Sequence, residues 1–186
     1  MIVSLRPLAL SLALLAPLGT PAQAERAQQG LLALFAPVQK AGPDRAARAE
    51  LKAAVKVAMA NPPRGRIWCV PFARAVSGVE IRGNAKTWWD QAAGRYPRGK
   101  EPQVGAVMAF AASGAMPKGH VAVVSKVVND RAVLVDQANW VRNRITQDTL
   151  VVDVSAKGDW SQVRVANGTG SLGRVNRVKG FIYNDG

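Results

Sequence analysis

The chain has 186 residues, which is enough for one domain with its own hydrophobic core. Lysine and arginine outnumber aspartate and glutamate by 25 to 12, and the net charge of +13 indicates an anionic partner such as nucleic acid, a membrane surface or an acidic polymer. A single cysteine excludes an internal disulfide, and a single cysteine with a single histidine argues against a zinc hydrolase.

The N-terminal segment has the pattern of an export signal. Arg6 precedes an apolar run over residues 7–18, and Ala22-Gln23-Ala24 has the small-x-small form of a signal peptidase site. The run is too short and too interrupted by proline for a membrane span, and the cut site has no cysteine to carry a lipid. We therefore predict a signal peptide over residues 1–24, a periplasmic or secreted product, and no stable membrane insertion after cleavage. The alternative is an uncleaved apolar arm.

Residues 25–65 are predicted to form an N-terminal helical extension. Its clearest helix spans residues 44–60, an alanine-rich segment without internal glycine or proline that ends at Asn61-Pro62-Pro63. Its apolar positions recur at four-residue spacing and form a narrow stripe: Leu51, Val55 and Met59. This pattern is typical of a helix whose role is packing.

Cys69 lies at the predicted start of the next helix. Pro71 suits the first turn of a helix, residues 72–77 continue it, and Gly78 ends it. Unpaired backbone amides and the positive end of the helix dipole favour a thiolate at such a position. A lone cysteine in an exported chain is a reactive thiol, a buried structural thiol or an intermolecular bridge, and this placement favours the first.

A third helix is predicted over residues 85–93, and strands follow it. The strands are short β-branched runs bounded by turn residues such as Asn129-Asp130. They cover residues 104–110, 120–128, 131–140, 150–154 and 162–166. Helices followed by an antiparallel sheet predict an α+β domain.

Two of these strands place polar residues on one face. His120 alternates with apolar residues at the start of one strand, and Gln137 and Asn139 share a face of the next. A hairpin would set His120 near Gln137 or Asn139, whereas Asp136 would point the other way. Packing of the Cys69 helix on the His120 face would complete the thiol, imidazole and amide set of papain-like enzymes.

Four stretches in the same order resemble the signature motifs of CHAP domains, the cysteine, histidine-dependent amidohydrolases/peptidases related to NlpC/P60 peptidases. The stretches span residues 68–72, 103–107, 119–124 and 136–140, and the resemblance covers about Arg66 to Trp140. Residues 180–183 also resemble a last strand seen in bacterial members. We therefore predict a CHAP-like catalytic domain over residues 66–186.

The resemblance implies a papain-like, NlpC/P60-like α+β fold in which helices pack on an antiparallel sheet. It implies cleavage of amide bonds in peptidoglycan, either between N-acetylmuramic acid and L-alanine or within the stem or cross-link peptide. By motif position Cys69 is the nucleophile and His120 the base. The family commonly has Glu-x-Asn on the third strand, where this chain has Gln137-Ala138-Asn139, so Gln137, Asn139 and Asp136 all remain candidates for the group that orients His120.

The resemblance also bears on ligands. Some members bind calcium through acidic residues before the cysteine, but residues 61–64 here are Asn-Pro-Pro-Arg, so we predict no metal and no cofactor. Trp68, Trp89 and Trp140 are the candidate substrate-binding residues.

Basic residues flank the motifs, which makes peptidoglycan or its peptides the expected partner. They are Arg82, Lys86, Arg95, Arg98, Lys100, Lys118, Arg142 and Arg144. Export, and the lack of aromatic RNA-binding or zinc motifs, argue against nucleic acid. Three alternatives remain: the basic residues form a solvated face, the chain is a CHAP-like module that binds wall polymer without cutting it, or it is an exported structural protein in which Cys69 is buried.

Overall fold

Three helices and a 3-10 turn come first in the described part of the chain. The computed structural model describes residues 43–167 and 171–184, all of which belong to one unit, residues 38–186. Helix α1 spans Pro43–Ala60, α2 spans Cys69–Ser77, and α3 spans Trp88–Gln91 after a 3-10 turn at Ala85–Thr87. No helix among these residues is long and apolar enough to cross a bilayer. The predicted signal peptide, and the extension before residue 43, lie outside the described residues.

The bounds of α1 and α2 confirm the predictions from local sequence. Helix α1 begins one residue before the predicted start, and α2 ends where Gly78 takes a left-handed φ of 70° and its N–H donates to the Arg74 carbonyl. A glycine at this position carries no penalty for the left-handed conformation.

The helix predicted over residues 85–93 is shorter than expected and starts as a 3-10 turn. The Lys86 N–H donates to the Lys118 carbonyl at 2.8 Å, so this backbone is bonded to the loop before the His120 strand. Gly119 makes the approach possible, because a Cβ there would lie 2.6 Å from the Lys86 nitrogen. The tertiary contact therefore overrides the helical propensity of the segment.

Seven strands follow among the described residues. They are β1 (Arg98–Gly99), β2 (Val107–Phe110), β3 (His120–Asn129), β4 (Ala132–Ala138), β5 (Ile145–Asp153), β6 (Gln162–Ala166) and β7 (Leu172–Ile182). Strands β2 to β6 correspond to the five predicted runs. Strand β1 was not predicted, and of β7 only the end had been identified.

All pairings are antiparallel, in the order β1-β7-β2-β3-β4-β5-β6, and β7 also pairs with β6. The second pairing closes β2 to β7 into a barrel. The α+β class with an antiparallel sheet is thus confirmed, while the closure was not expected from the strand pattern. Closure leaves no free edge on the closed strands.

Two apolar clusters lie on the two faces of the closed sheet. One takes residues from every strand from β2 to β7, including Phe110, Val124 and Phe181, and so fills the barrel interior. The other joins alternate residues of β2 and β3, with Ala138 of β4 and Ile182 of β7, to α1, α2 and α3, including Val55 and Trp88. The period-two alternation of the strands separates these clusters.

A buried ion pair ties α1 to β4. The Asp136 carboxylate is fully buried, and Lys52 Nζ lies 2.8 Å from both of its oxygens. The Asp148 N–H of β5 donates to Asp136 Oδ1 at 2.8 Å. Asp148 in turn pairs with Lys52 and Arg48 of α1 and accepts from the Ser125 hydroxyl of β3. Asp136 therefore links α1, β4 and β5.

We predict that Asp136→Ala lowers the free energy of unfolding by about 2–3 kcal/mol, because it removes the acceptor of the partly buried Asp148 N–H and the buried one of the two carboxylates that pair with Lys52. Asp90→Ala is the matched control, since it removes an exposed carboxylate paired with Lys179 at 2.9 Å. The control substitution should lower the free energy of unfolding by less than about 1 kcal/mol. Urea unfolding midpoints, compared at constant slope, measure the stability of both variants. Equal losses of stability would contradict the structural role assigned to Asp136.

Candidate active site

Cys69 is the first residue of α2, and its side chain lies near the start of β3. It is half-buried and packs against the helix-side apolar cluster. The backbone N–H groups of Val121 in β3, of Val70 and of Cys69 itself are close enough to the sulfur to act on its pKa. The sulfur therefore lies near the start of β3.

The electrostatics of this thiol differ from the sequence-based expectation. Burial raises the pKa of the Cys69 thiol, although the N–H groups of Val121, Val70 and Cys69 act in the opposite direction. The expectation that the helix start would favour a thiolate is therefore wrong for the unliganded site. Three backbone donors do not compensate for the loss of water around the sulfur.

His120 begins β3 and lies in an aromatic environment. It is buried, with its ring 5.5 Å from Phe110 and 5.1 Å from Trp140, both in edge-on geometry. Burial lowers the pKa of His120 to about 4, and the hydrogen bond to Gln137 opposes that shift only in part. The imidazole is therefore neutral at physiological pH.

Gln137 is the side chain that the structure brings to His120. Its Oε1 lies 2.9 Å from His120 Nε2, and both residues are buried. With the amide oxygen as acceptor, His120 carries its proton on Nε2 and leaves Nδ1 as a proton acceptor. Asp136 faces the opposite side of β4 and bonds Lys52, as the period-two pattern predicted.

Asn139 lies just after β4 and has a different set of contacts. Its φ is 62°, and its Oδ1 accepts the Asn143 N–H at 2.9 Å. Asn143 Oδ1 in turn accepts the Ile67 N–H at 2.8 Å, two residues before Cys69. In the described part of the chain no hydrogen bond joins Asn139 to His120. The contacts make Asn139 a link between the β4–β5 turn and the segment that carries the thiol.

Five of the candidate residues line one cavity of about 740 Å³. Cys69, His120, Asn139, Trp68 and Trp140 all line it. Gln137 lies behind His120 and does not reach the cavity.

Trp89 lies outside this cavity. Its ring stacks under the Arg98 guanidinium at 4.7 Å, and a Cβ on Gly180 of β7 would collide with it. Two of the three tryptophans proposed for substrate binding therefore face the cavity.

The sequence reasoning missed part of the wall, since Arg174 and Asn176 of β7 line the cavity. Strand β7 has a mixed burial pattern and several charged residues, so hydrophobic alternation gave no signal for it. The aromatic partner Phe110 was assigned to a strand but not to the site. Among the described residues no group of three or more potential ligands is placed to hold a metal ion.

The CHAP domain family model matches residues 61–139, a segment that includes α2, β2, β3 and β4 and therefore Cys69, His120 and Gln137. A search of curated proteins found no match to the chain. CHAP domains are generally hydrolases that act on peptidoglycan. The match agrees with the four motifs and with their order, and residues 61–139 are therefore similar to a CHAP domain.

Proposed function

We propose that this chain is an exported cysteine hydrolase that cleaves amide bonds in peptidoglycan, acting in the periplasm or outside the cell. The reaction is that of an N-acetylmuramoyl-L-alanine amidase or of an endopeptidase of the stem or cross-link peptide. The observation that carries the proposal is the cavity that both Cys69 and His120 line, with His120 Nε2 bonded to Gln137. We further propose a papain-like arrangement for the whole domain, residues 66–186.

The first half of the reaction transfers the acyl group to sulfur. The Cys69 thiol attacks the scissile carbonyl carbon while His120 Nδ1 takes its proton, so the thiolate forms as the S–C bond forms. The tetrahedral adduct collapses with cleavage of the C–N bond, and the imidazolium donates the same proton to the leaving amine. The products of this half are a thioester on Cys69 and a free amine.

The second half restores the thiol. His120 removes a proton from water, the hydroxide attacks the thioester, and the C–S bond breaks with return of a proton to sulfur. The amide substrate is thereby hydrolysed to a carboxylic acid and an amine, and the proposed reaction needs no cofactor.

Gln137 has a positioning role in this scheme. Its amide oxygen holds the Nε2–H tautomer, so Nδ1 presents a lone pair. An amide does not neutralise an imidazolium as a carboxylate would, which is consistent with the low pKa of His120, about 4. The resting pair is therefore a thiol and a neutral imidazole, and each turnover creates the charges.

We predict that Cys69→Ala and Cys69→Ser abolish hydrolysis and leave the melting temperature close to that of the wild type. His120→Ala should cause a comparable loss, because the pair acts as a unit and the losses are not additive. Mass analysis of wall digests measures the products, and EDTA is the control that should change nothing.

If Cys69→Ala cleaves purified peptidoglycan at the wild-type rate, the cysteine-hydrolase mechanism is wrong. A wild-type protein that binds peptidoglycan but releases no fragment would instead support the wall-binding module, which the absence of a carboxylate at Gln137 favours.

Variants at Gln137 and Asn139 distinguish two roles: orienting His120, and supporting the segment that carries Cys69. We predict a loss of about 10- to 1,000-fold in kcat for Gln137→Ala, and retained or raised activity for Gln137→Glu. Asn139→Ala should lower both the rate and the melting temperature, because it removes the acceptor for the Asn143 N–H. The assignment fails if Gln137→Ala is fully active on soluble muropeptides.

The pH dependence of kcat/KM tests whether the resting site holds a neutral thiol and a neutral imidazole. Since His120 must be unprotonated to act, kcat/KM should rise with pH through about 4 and then stay flat through neutrality. Gln137→Glu should move this rise to higher pH, because a carboxylate at 137 favours the imidazolium. A wild-type rise centred near pH 6.5, the ordinary value for histidine, would contradict the proposed environment.

Thermal melts at each pH are the control for that profile. The pKa of His120 is lower in the fold, about 4, than its ordinary value of 6.5, so the unfolded chain binds more protons between these values. The stability due to the neutral buried ring is complete above about pH 6.5 and is lost as the pH falls towards 4. Rates are therefore compared only where the protein remains folded.

A further inference from the structure

The cavity wall has an uneven charge. Among the residues that line it, two are permanent cations, Lys118 and Arg174, and none is an aspartate or glutamate. They come from different parts of the fold, since Lys118 precedes β3 and Arg174 lies in β7. Cations that share a cavity without an acidic residue raise the local concentration of an anion.

A β-bulge brings Arg174 to this wall. Arg164 pairs with Val175 and Ala166 with Leu172, so Gly173 and Arg174 of β7 stand opposite the single residue Val165 of β6. All three residues of the bulge line the cavity. Gly173 permits the close approach, because a Cβ there would lie 3.2 Å from the Val165 carbonyl oxygen. Bulges commonly redirect a side chain beside an active site.

The backbone that carries Arg174 is held in place, whereas its guanidinium is available. The buried Asn176 donates through Nδ2 to the Arg174 carbonyl at 3.0 Å, and Arg164 donates to the Gly173 carbonyl at 3.3 Å. The ion pairs of the described residues use Arg48, Lys52, Arg74, Arg131 and Lys179. No described carboxylate pairs with Arg174, which is exposed.

The second cation is held near the nucleophile by an aromatic ring. Lys118 Nζ lies 5.5 Å from the centre of the Trp68 ring, and the Arg66 guanidinium lies 4.2 Å from it. Trp68 immediately precedes Cys69 and lines the same cavity. Two cations on this ring place positive charge beside the thiol without a buried counter-ion.

We propose that the substrate carries a free carboxylate close to the scissile amide, that Arg174 binds this carboxylate, and that Lys118 adds to the attraction. A planar guanidinium suits a carboxylate because it donates two parallel hydrogen bonds. The inference rests on the proposed function for the scissile bond, but its main residue, Arg174, lies outside the matched segment 61–139 and binds a separate part of the substrate.

The test compares one soluble muropeptide in two forms, with its peptide carboxylates free or converted to carboxamides. Affinity is measured by calorimetry on the full chain carrying Cys69→Ala, with and without Arg174→Gln. Arg177→Gln is the matched control, because it removes the same charge from an exposed position of β7 outside the cavity lining. The rates of cleavage of both forms are measured with Cys69 present.

The carboxylate form should bind about 10- to 100-fold more tightly than the carboxamide when Arg174 is present. Arg174→Gln should remove most of this preference without changing affinity for the carboxamide. Lys118→Gln should reduce the preference by less than about 10-fold. The control Arg177→Gln should leave the preference unchanged. Equal affinity for both forms, no binding of either, or a preference that survives Arg174→Gln would overturn the inference. A preserved binding preference together with no cleavage of either form would overturn the proposed function instead.

Discussion

The arrangement of the site depends on the buried carboxylate of Asp136. Its ion pair with Lys52 and its bond from the Asp148 N–H fix α1, β4 and β5 relative to one another. The next residue along β4 is Gln137, whose side chain points to the other face and meets His120 at 2.9 Å. The alternation of a strand thus places a buried carboxylate and the amide that bonds His120 on opposite faces of β4. Displacement of β4 would change both faces at once.

Burial decides the protonation states at this site. Backbone N–H groups lower the pKa of Cys69 and the Gln137 amide raises the pKa of His120, yet in both cases the opposite shift due to burial is larger. The rings of Phe110 and Trp140 keep water from the imidazole. A carboxylate in place of Gln137 would favour the charged imidazolium, whereas the amide leaves the buried imidazole neutral.

Local pattern predicted helices α1 and α2, strands β2 to β6 and the orientation of Gln137 and Asp136, whereas the third helix is shorter than predicted. These features follow from capping residues, glycine positions and period-two alternation, which are all visible within a few residues. The CHAP resemblance added the order of the motifs. The link from Asn139 through Asn143 to Ile67 was not predictable, because it depends on where two distant loops meet. The direction of the Cys69 pKa shift was missed for the same reason, since burial of the sulfur depends on β3 packing against α2.

The pairing of β7 has a consequence for how the fold forms. The hairpin of β3 and β4 and the helices beside it are contained in residues 43–138, so their contacts are available as soon as that segment exists. Strand β7 pairs with β1, β2 and β6, partners that span residues 98 to 166. The pairings with β1 and β2 join segments that are far apart in the sequence, and such long-range pairings are the slow contacts in folding. A nascent or truncated chain that lacks β7 therefore has open sheet edges at β2 and β6, the kind of surface that pairs with other chains and aggregates.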